Sequence, residues 1–83
     1  MSERTIRTII EGQQILIAPS GMTVGEAARL MKQRRVGAMM VVDEGRLVGV
    51  FTERDALFRV VAEGRDSNHT ALAEVMTANP RTI

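Results

Sequence analysis

Residues 47–55 constrain this chain most, because an apolar run and a helix start follow one another with no loop between them. Leu47-Val48-Gly49-Val50-Phe51 is short, apolar and rich in valine, as a buried strand requires. Thr52-Glu53-Arg54-Asp55 follows at once, with threonine as N-cap and an acidic residue at the third helical position, a pattern that satisfies the first free amides of a helix. A strand feeding directly into a helix N-terminus presents unpaired amides and the positive end of the helix dipole, so an anion such as phosphate is favoured there.

The other elements fit around that junction. Ala38-Met39-Met40-Val41-Val42 is too short and too uniformly apolar for a surface helix, and Asp43-Glu44-Gly45 is a turn, so the two apolar runs predict a hairpin. Upstream, Ile15-Leu16-Ile17-Ala18 predicts a short strand ending at the turn Pro19-Ser20-Gly21. Thr23-Val24-Gly25-Glu26 has capping-box spacing and starts a helix whose apolar face is Val24, Ala27, Ala28 and Met31. Lys32, Arg34 and Arg35 complement the dipole of its last turn, and Gly37 marks its end. The second helix has Ala56, Leu57, Val60 and Val61 as its face and Gly64 as a left-handed C-cap. After a polar loop over 65–69, Thr70 caps a short turn through Leu72 and Val75, Asn79-Pro80 breaks it, and Arg81-Thr82-Ile83 begins a strand.

This order predicts an α/β domain of the α+β sandwich kind, β-α-β-β-α, with a short sheet packed on two helices. The stretch from Val75 to Ile83 echoes that from Ile9 to Ile17, which suggests the start of a second repeat. The expected organisation is an N-terminal strand and linker over 1–14, a domain over 15–69, and a turn with the start of a second repeat's first strand over 70–83.

A chain of 83 residues forms one domain at most and buries only roughly 60% of its unfolded surface. It has no cysteine to staple it and no Cys/His cluster to hold a structural metal, so self-association is the remaining way to add buried surface, and a homodimer through the helix faces is expected. The lack of cysteine fits a reducing compartment, with cytoplasm the default. A net charge of +1 announces no polyanion partner, and Lys32, Arg34 and Arg35 read as a solvated helix end, so nucleic acid is the weakest candidate. No apolar run approaches the roughly 20 residues of a membrane span, and Met1-Ser2-Glu3-Arg4 does not open a signal peptide.

Catalysis is not expected. There is no Ser-His-Asp set, no cysteine, and no carboxylate pair in an apolar context that would raise one pKa. His69 stands beside Asp66 without the partners of a metal site or triad. The glycine of residues 49–55 lacks the loop of a P-loop or Rossmann fingerprint. With 2% aromatic residues the methionines Met31, Met39 and Met40 read as core filler more than as a cofactor slot.

Four blocks in this order resemble the cystathionine-β-synthase (CBS) domain family: residues 23–31, Arg35-Val36-Gly37-Ala38, Val41-Val42-Asp43, and above all Gly49-Val50-Phe51-Thr52-Glu53-Arg54-Asp55. Paired repeats of that family form Bateman modules that sense adenosine-containing ligands. The resemblance implies that Thr52 donates its hydroxyl to phosphate, that Asp55 accepts from ribose hydroxyls, and that Arg54 pairs with phosphate through its guanidinium fork. It also implies an adenine slot formed by Ala38, Met39 and Phe51, with Ile17 and Ala18 from the first strand. The ligands so implied are AMP, ADP, ATP, S-adenosylmethionine or NAD, none of them a required cofactor. Met40 departs from the family pattern, where proline is common, and supplies an amide that proline lacks.

Two functions follow from different classes. In one, the domain is a regulatory sensor in which a bound adenine nucleotide favours one arrangement of repeats or subunits and so transmits occupancy. In the other, Thr52 and Asp55 are ordinary capping residues and the domain is a structural homo-association module without a ligand.

Overall fold

A computed structural model describes residues 15–78. Strands β1 (Leu16–Ala18), β2 (Ala38–Asp43), β3 (Arg46–Thr52) and β4 (Thr77–Ala78) form one four-stranded sheet in that order. β1 runs parallel to β2, while β2–β3 and β3–β4 are antiparallel. The helices are α1 (Val24–Arg34), α2 (Glu53–Asp55), which continues directly into a π-helical segment Ala56–Val61, and α3 (Leu72–Val75). This is the expected small α+β domain. The expectations for residues 1–14 and 79–83 lie outside the described residues.

The hairpin turns at Glu44 and Gly45, both with positive φ (47° and 76°), the primed geometry whose twist matches that of two antiparallel strands. Farther along, Val41 lies opposite Gly49 but Val42 lies opposite Leu47, so Val48 is an extra residue that bulges β3. Alternation then decides the faces. Ala18, Met39, Val41 and Phe51 point to one side and are at most 1% exposed, and that side receives Val24, Ala27 and Met31 of α1, Val60, and Leu72 and Val75 of α3. Burying Phe51 alone stabilises the fold by roughly 1.5–3 kcal/mol relative to leaving it in water. Ile17, on the opposite side, is 65% exposed.

Residues 70–78 belong to this same core and sheet. The amides of Val24, Leu72 and Ala73 donate to the carbonyls of Thr70, Met22 and Ser20 at 2.9, 2.9 and 3.0 Å, which ties α3 to the start of α1. Ser20 also fastens β1 to the end of β2: its amide and hydroxyl donate to the two oxygens of Asp43 at 2.9 and 2.6 Å.

Several local expectations are corrected. The left-handed residue after α1 is Arg35 (φ 55°), not Gly37; the Val36 and Arg35 amides donate back to Met31 and Lys32 in a Schellman motif. Gly64 does take the left-handed position (φ 71°), with Arg65 and Gly64 donating to Val60 and Val61 in the same motif. Of the apolar face expected for the second helix only Val60 is buried. The Ala62 amide reaches the Leu57 carbonyl five residues back, and this widened turn leaves Leu57 53% and Val61 68% exposed. Ala28 of α1 is exposed as well. Thr70 does not cap α3: its hydroxyl donates to the Asp66 carbonyl at 2.8 Å, and Ala71 is the N-cap, its amide held by Glu74 at 3.0 Å.

Gly49 has a steric reason. A Cβ there would lie 2.7 Å from the Met76 sulfur and 2.8 Å from the Thr77 carbonyl oxygen, so only glycine lets β4 dock on β3. Gly49→Ala is expected to destabilise the domain by about 1–3 kcal/mol in chemical denaturation, with hydrogen exchange loosened first in β4; unchanged stability would show that β4 docks elsewhere. The Ser20 donors hold the Asp43 carboxyl below the usual carboxylate range. A lowered folded-state pKa gives stability that is present above about pH 4 and lost as pH falls through the lowered value. Asp43→Asn is therefore expected to be less stable at pH 7 and to lose less on acidification, read as a shallower fall of Tm between neutral and acid pH.

Candidate functional site

The end of β3 turns straight into α2 because Thr52 keeps an extended backbone (φ −118°, ψ 166°) and its side chain closes a capping box with Asp55. The Thr52 hydroxyl accepts from the Asp55 amide at 3.1 Å and donates to Asp55 Oδ2 at 3.1 Å, while the Thr52 amide donates to the same oxygen at 3.0 Å. Asp55 is only 6% exposed. Its other oxygen, Oδ1, accepts from the Thr77 hydroxyl at 3.2 Å and faces Arg59 Nε at 3.6 Å. The same Arg59 donates through Nη1 to the carbonyls of Val75 and Met76, both at 3.3 Å. A buried carboxylate is tolerated only when paired and hydrogen-bonded in this way.

Above Asp55 lies an open cleft of about 570 Å³. Gly37, Thr52, Glu53 and Arg54 line one part of it, and Phe58, Arg59 and Thr77 another. Gly37 lies beside Glu53: a Cβ there would fall 2.9 Å from the mobile end of the Glu53 side chain, and the Glu53 backbone amide donates to the Gly37 carbonyl at 2.9 Å. Among the described residues the Arg54 side chain makes no hydrogen bond or ion pair, and the residue is exposed, so its guanidinium is free for an anion.

Of the residues singled out in the sequence, Thr52, Arg54 and Asp55 come together on this cleft. The expected base slot does not assemble from the rest. Ala18, Met39 and Phe51 point into the core and are at most 1% exposed, Ile17 points out of the opposite face, and Ala38 is half-buried opposite Thr52. The Thr52 proton is committed to Asp55, so donating it to a phosphate requires the hydroxyl to turn. Sequence reasoning missed Gly37, Phe58, Arg59 and Thr77. The i, i+4 spacing of Asp55 and Arg59 carried a signal; Thr77, 22 residues from Asp55, carried none.

Elsewhere, His69 meets Asp66 at 2.7 Å in the polar loop, and this bond, together with the Asn68 amide, holds the Asp66 carboxyl below its usual range. Among the described residues no group of three or more His, Cys, Asp or Glu is placed to hold a metal, and no helix is long and apolar enough to cross a membrane.

Comparison with known proteins agrees with this geometry. The model of the CBS domain matches residues 6–62. The CBS domain-containing protein YhcV of Bacillus subtilis (strain 168) is 45% identical over 64 residues, covering 77% of this chain and 45% of YhcV. Among solved structures, a CBS-domain protein of Burkholderia ambifaria MC40-6, named for a proposed role in signal transduction, superposes with a TM-score of 0.76 at 36% identity, covering 83% of this chain and 51% of that one. A hexameric CBS-CP12 protein from bloom-forming cyanobacteria superposes with a TM-score of 0.72 at 26% identity, over 80% of this chain and 38% of that one. The chain spans less than half the length of the curated relatives it matches. With four motif blocks, the sheet order and the family match in agreement, this chain belongs to the CBS domain family.

Proposed function

We propose that this CBS domain is a regulatory unit that binds the ribose and phosphate of an adenosine-containing nucleotide at Thr52, Arg54 and Asp55. The observation that carries this reading is the pairing, in one cleft, of an unpartnered guanidinium with a buried carboxylate. Arg54 offers phosphate a two-point contact, and Asp55 Oδ1 is an acceptor suited to sugar hydroxyls. The cleft volume lies within the usual range for small-molecule sites. The base end is supplied by a second CBS repeat, in the same polypeptide or in another copy, because the described residues leave that end open. Exposed Leu57, Phe58 and Val61 on the second helix supply apolar surface for such association. Ligand that fits one arrangement of repeats better shifts the population towards it, and this shift is the signal.

A second reading is favoured by a specific observation. The hydrogen-bonding capacity of Thr52 is already used within the capping box, as a purely structural association module would have it. Thermal unfolding against AMP, ADP, ATP, S-adenosylmethionine and NAD separates the two. A nucleotide at 100 times its Kd stabilises by about 2.7 kcal/mol, and each kcal/mol raises Tm by about 4–8 °C for a domain of this size. The expected result is a rise with at least one compound that shrinks in Arg54→Ala, whose side chain is exposed and outside the core. No rise with any compound at millimolar concentration, with the chain folded and self-associated, would leave the association module as the function.

A further inference from the structure

We propose that Thr77 and Arg59 form a latch that couples the occupancy of Asp55 to the docking of β4, so that a sugar hydroxyl bound at Asp55 releases β4 from the sheet. This rests on the nucleotide reading above and adds how the signal departs.

The acceptor count at Asp55 leads to it. A carboxylate has about four lone-pair sites. Both donors of Thr52 fall on Oδ2, at 3.0 and 3.1 Å. Oδ1 has the Thr77 hydroxyl at 3.2 Å and Arg59 Nε at 3.6 Å. With Asp55 only 6% exposed, a hydroxyl that reaches Oδ1 from the cleft takes space now held by Thr77 or Arg59, and the Thr52 pair is the costlier one to lose because it also holds the start of α2. Thr77 is cheaper: its bond to Oδ1 is long, its only other reach to the carboxylate is 3.4 Å to Oδ2, and its residue is exposed.

What Thr77 holds is slight. Among the described residues β4 spans Thr77–Ala78, both exposed, and pairs with β3 at Gly49 and Val50. Its remaining ties on the Asp55 side are the Thr77 hydroxyl and the Arg59 guanidinium, which links Asp55 to the carbonyls of Val75 and Met76. Displacing either Thr77 or Arg59 from Oδ1 loosens the same segment. Exposed edge residues held by few contacts are the kind of segment that opens locally at low cost. Coupling of this kind is reciprocal: if ligand weakens the latch, weakening the latch strengthens ligand binding.

The test uses Thr77→Val, which keeps the side chain's shape and removes the competing hydroxyl, with AMP and its 2′,3′-dideoxy analogue as probes. Without ligand, hydrogen exchange at residues 76–78 is expected to be about tenfold faster in Thr77→Val than in the parent chain. AMP is expected to speed exchange at the same residues in the parent while slowing it around Thr52–Asp55, and the dideoxy analogue to leave β4 protected. Thr77→Val is expected to bind AMP about threefold tighter or more. Unchanged exchange in Thr77→Val, or AMP binding that is equal or weaker, overturns the latch while leaving the nucleotide reading standing. If neither AMP nor any of ADP, ATP, S-adenosylmethionine and NAD alters exchange in either protein, the nucleotide reading fails and ligand-driven release fails with it. Arg59→Gln, which removes the carbonyl clamp by a different route, is expected to speed exchange at 76–78 as well; protection as in the parent would overturn the part assigned to Arg59.

Discussion

The buried carboxylate of Asp55 is the point on which four elements converge. It caps α2, fixes the extended backbone of Thr52 at the end of β3, pairs with Arg59 of the π-helical segment, and accepts from Thr77 of β4. Ionised carboxylates are costly to bury, and removing one partner of such a group leaves a desolvated charge unsatisfied. The local geometry is therefore set by the need to surround this one group with donors. Thr52 and Arg59 are neighbours of Asp55 in sequence and Thr77 comes from 22 residues away, which makes the junction both a structural tie and an acceptor facing the cleft.

Gly49 and Gly37 show how backbone space serves that arrangement. Gly49 admits β4 against β3, and without that approach Thr77 would not reach Asp55. Gly37 admits the Glu53 carboxylate against the end of α1's connection, and its carbonyl accepts from the Glu53 amide at the first turn of α2. Neither glycine has the positive φ seen at Gly45 and Gly64. At Gly49 the requirement is close packing against the Thr77 backbone, not conformational freedom.

The sequence made the hairpin and both helix starts legible, because each is encoded in contiguous residues: the Glu44-Gly45 turn and the caps at Thr23 and Thr52. What escaped was set by contacts across the chain or by local geometry that periodicity cannot report. A regular 3.6-residue pattern assigns Leu57 and Val61 to the core, and the widened π turn carries them to solvent. Arg35 takes a left-handed conformation that propensity assigns to glycine, at a cost of roughly 1–2 kcal/mol. Thr52, Arg54 and Asp55, which meet on the cleft, are one contiguous block, so their proximity was readable. The base slot required residues of β1, β2 and β3 to share a face, and strand alternation placed Ile17 opposite to Ala18, Met39 and Phe51.

On the proposed reading, the two ends of a nucleotide do different work here. At Asp55 a sugar hydroxyl exchanges with a donor already present, and an exchange of one hydrogen bond for another contributes little net free energy. At Arg54 the ligand meets a guanidinium with no partner among the described residues, so a phosphate contact there is gained outright and is charge-assisted. Affinity then comes mainly from phosphate and from whatever second repeat covers the base, whereas the sugar supplies the conformational consequence. A compound with phosphate but without the sugar hydroxyls would occupy the cleft and send no signal, and one with the hydroxyls but no phosphate would hold too weakly to shift the population.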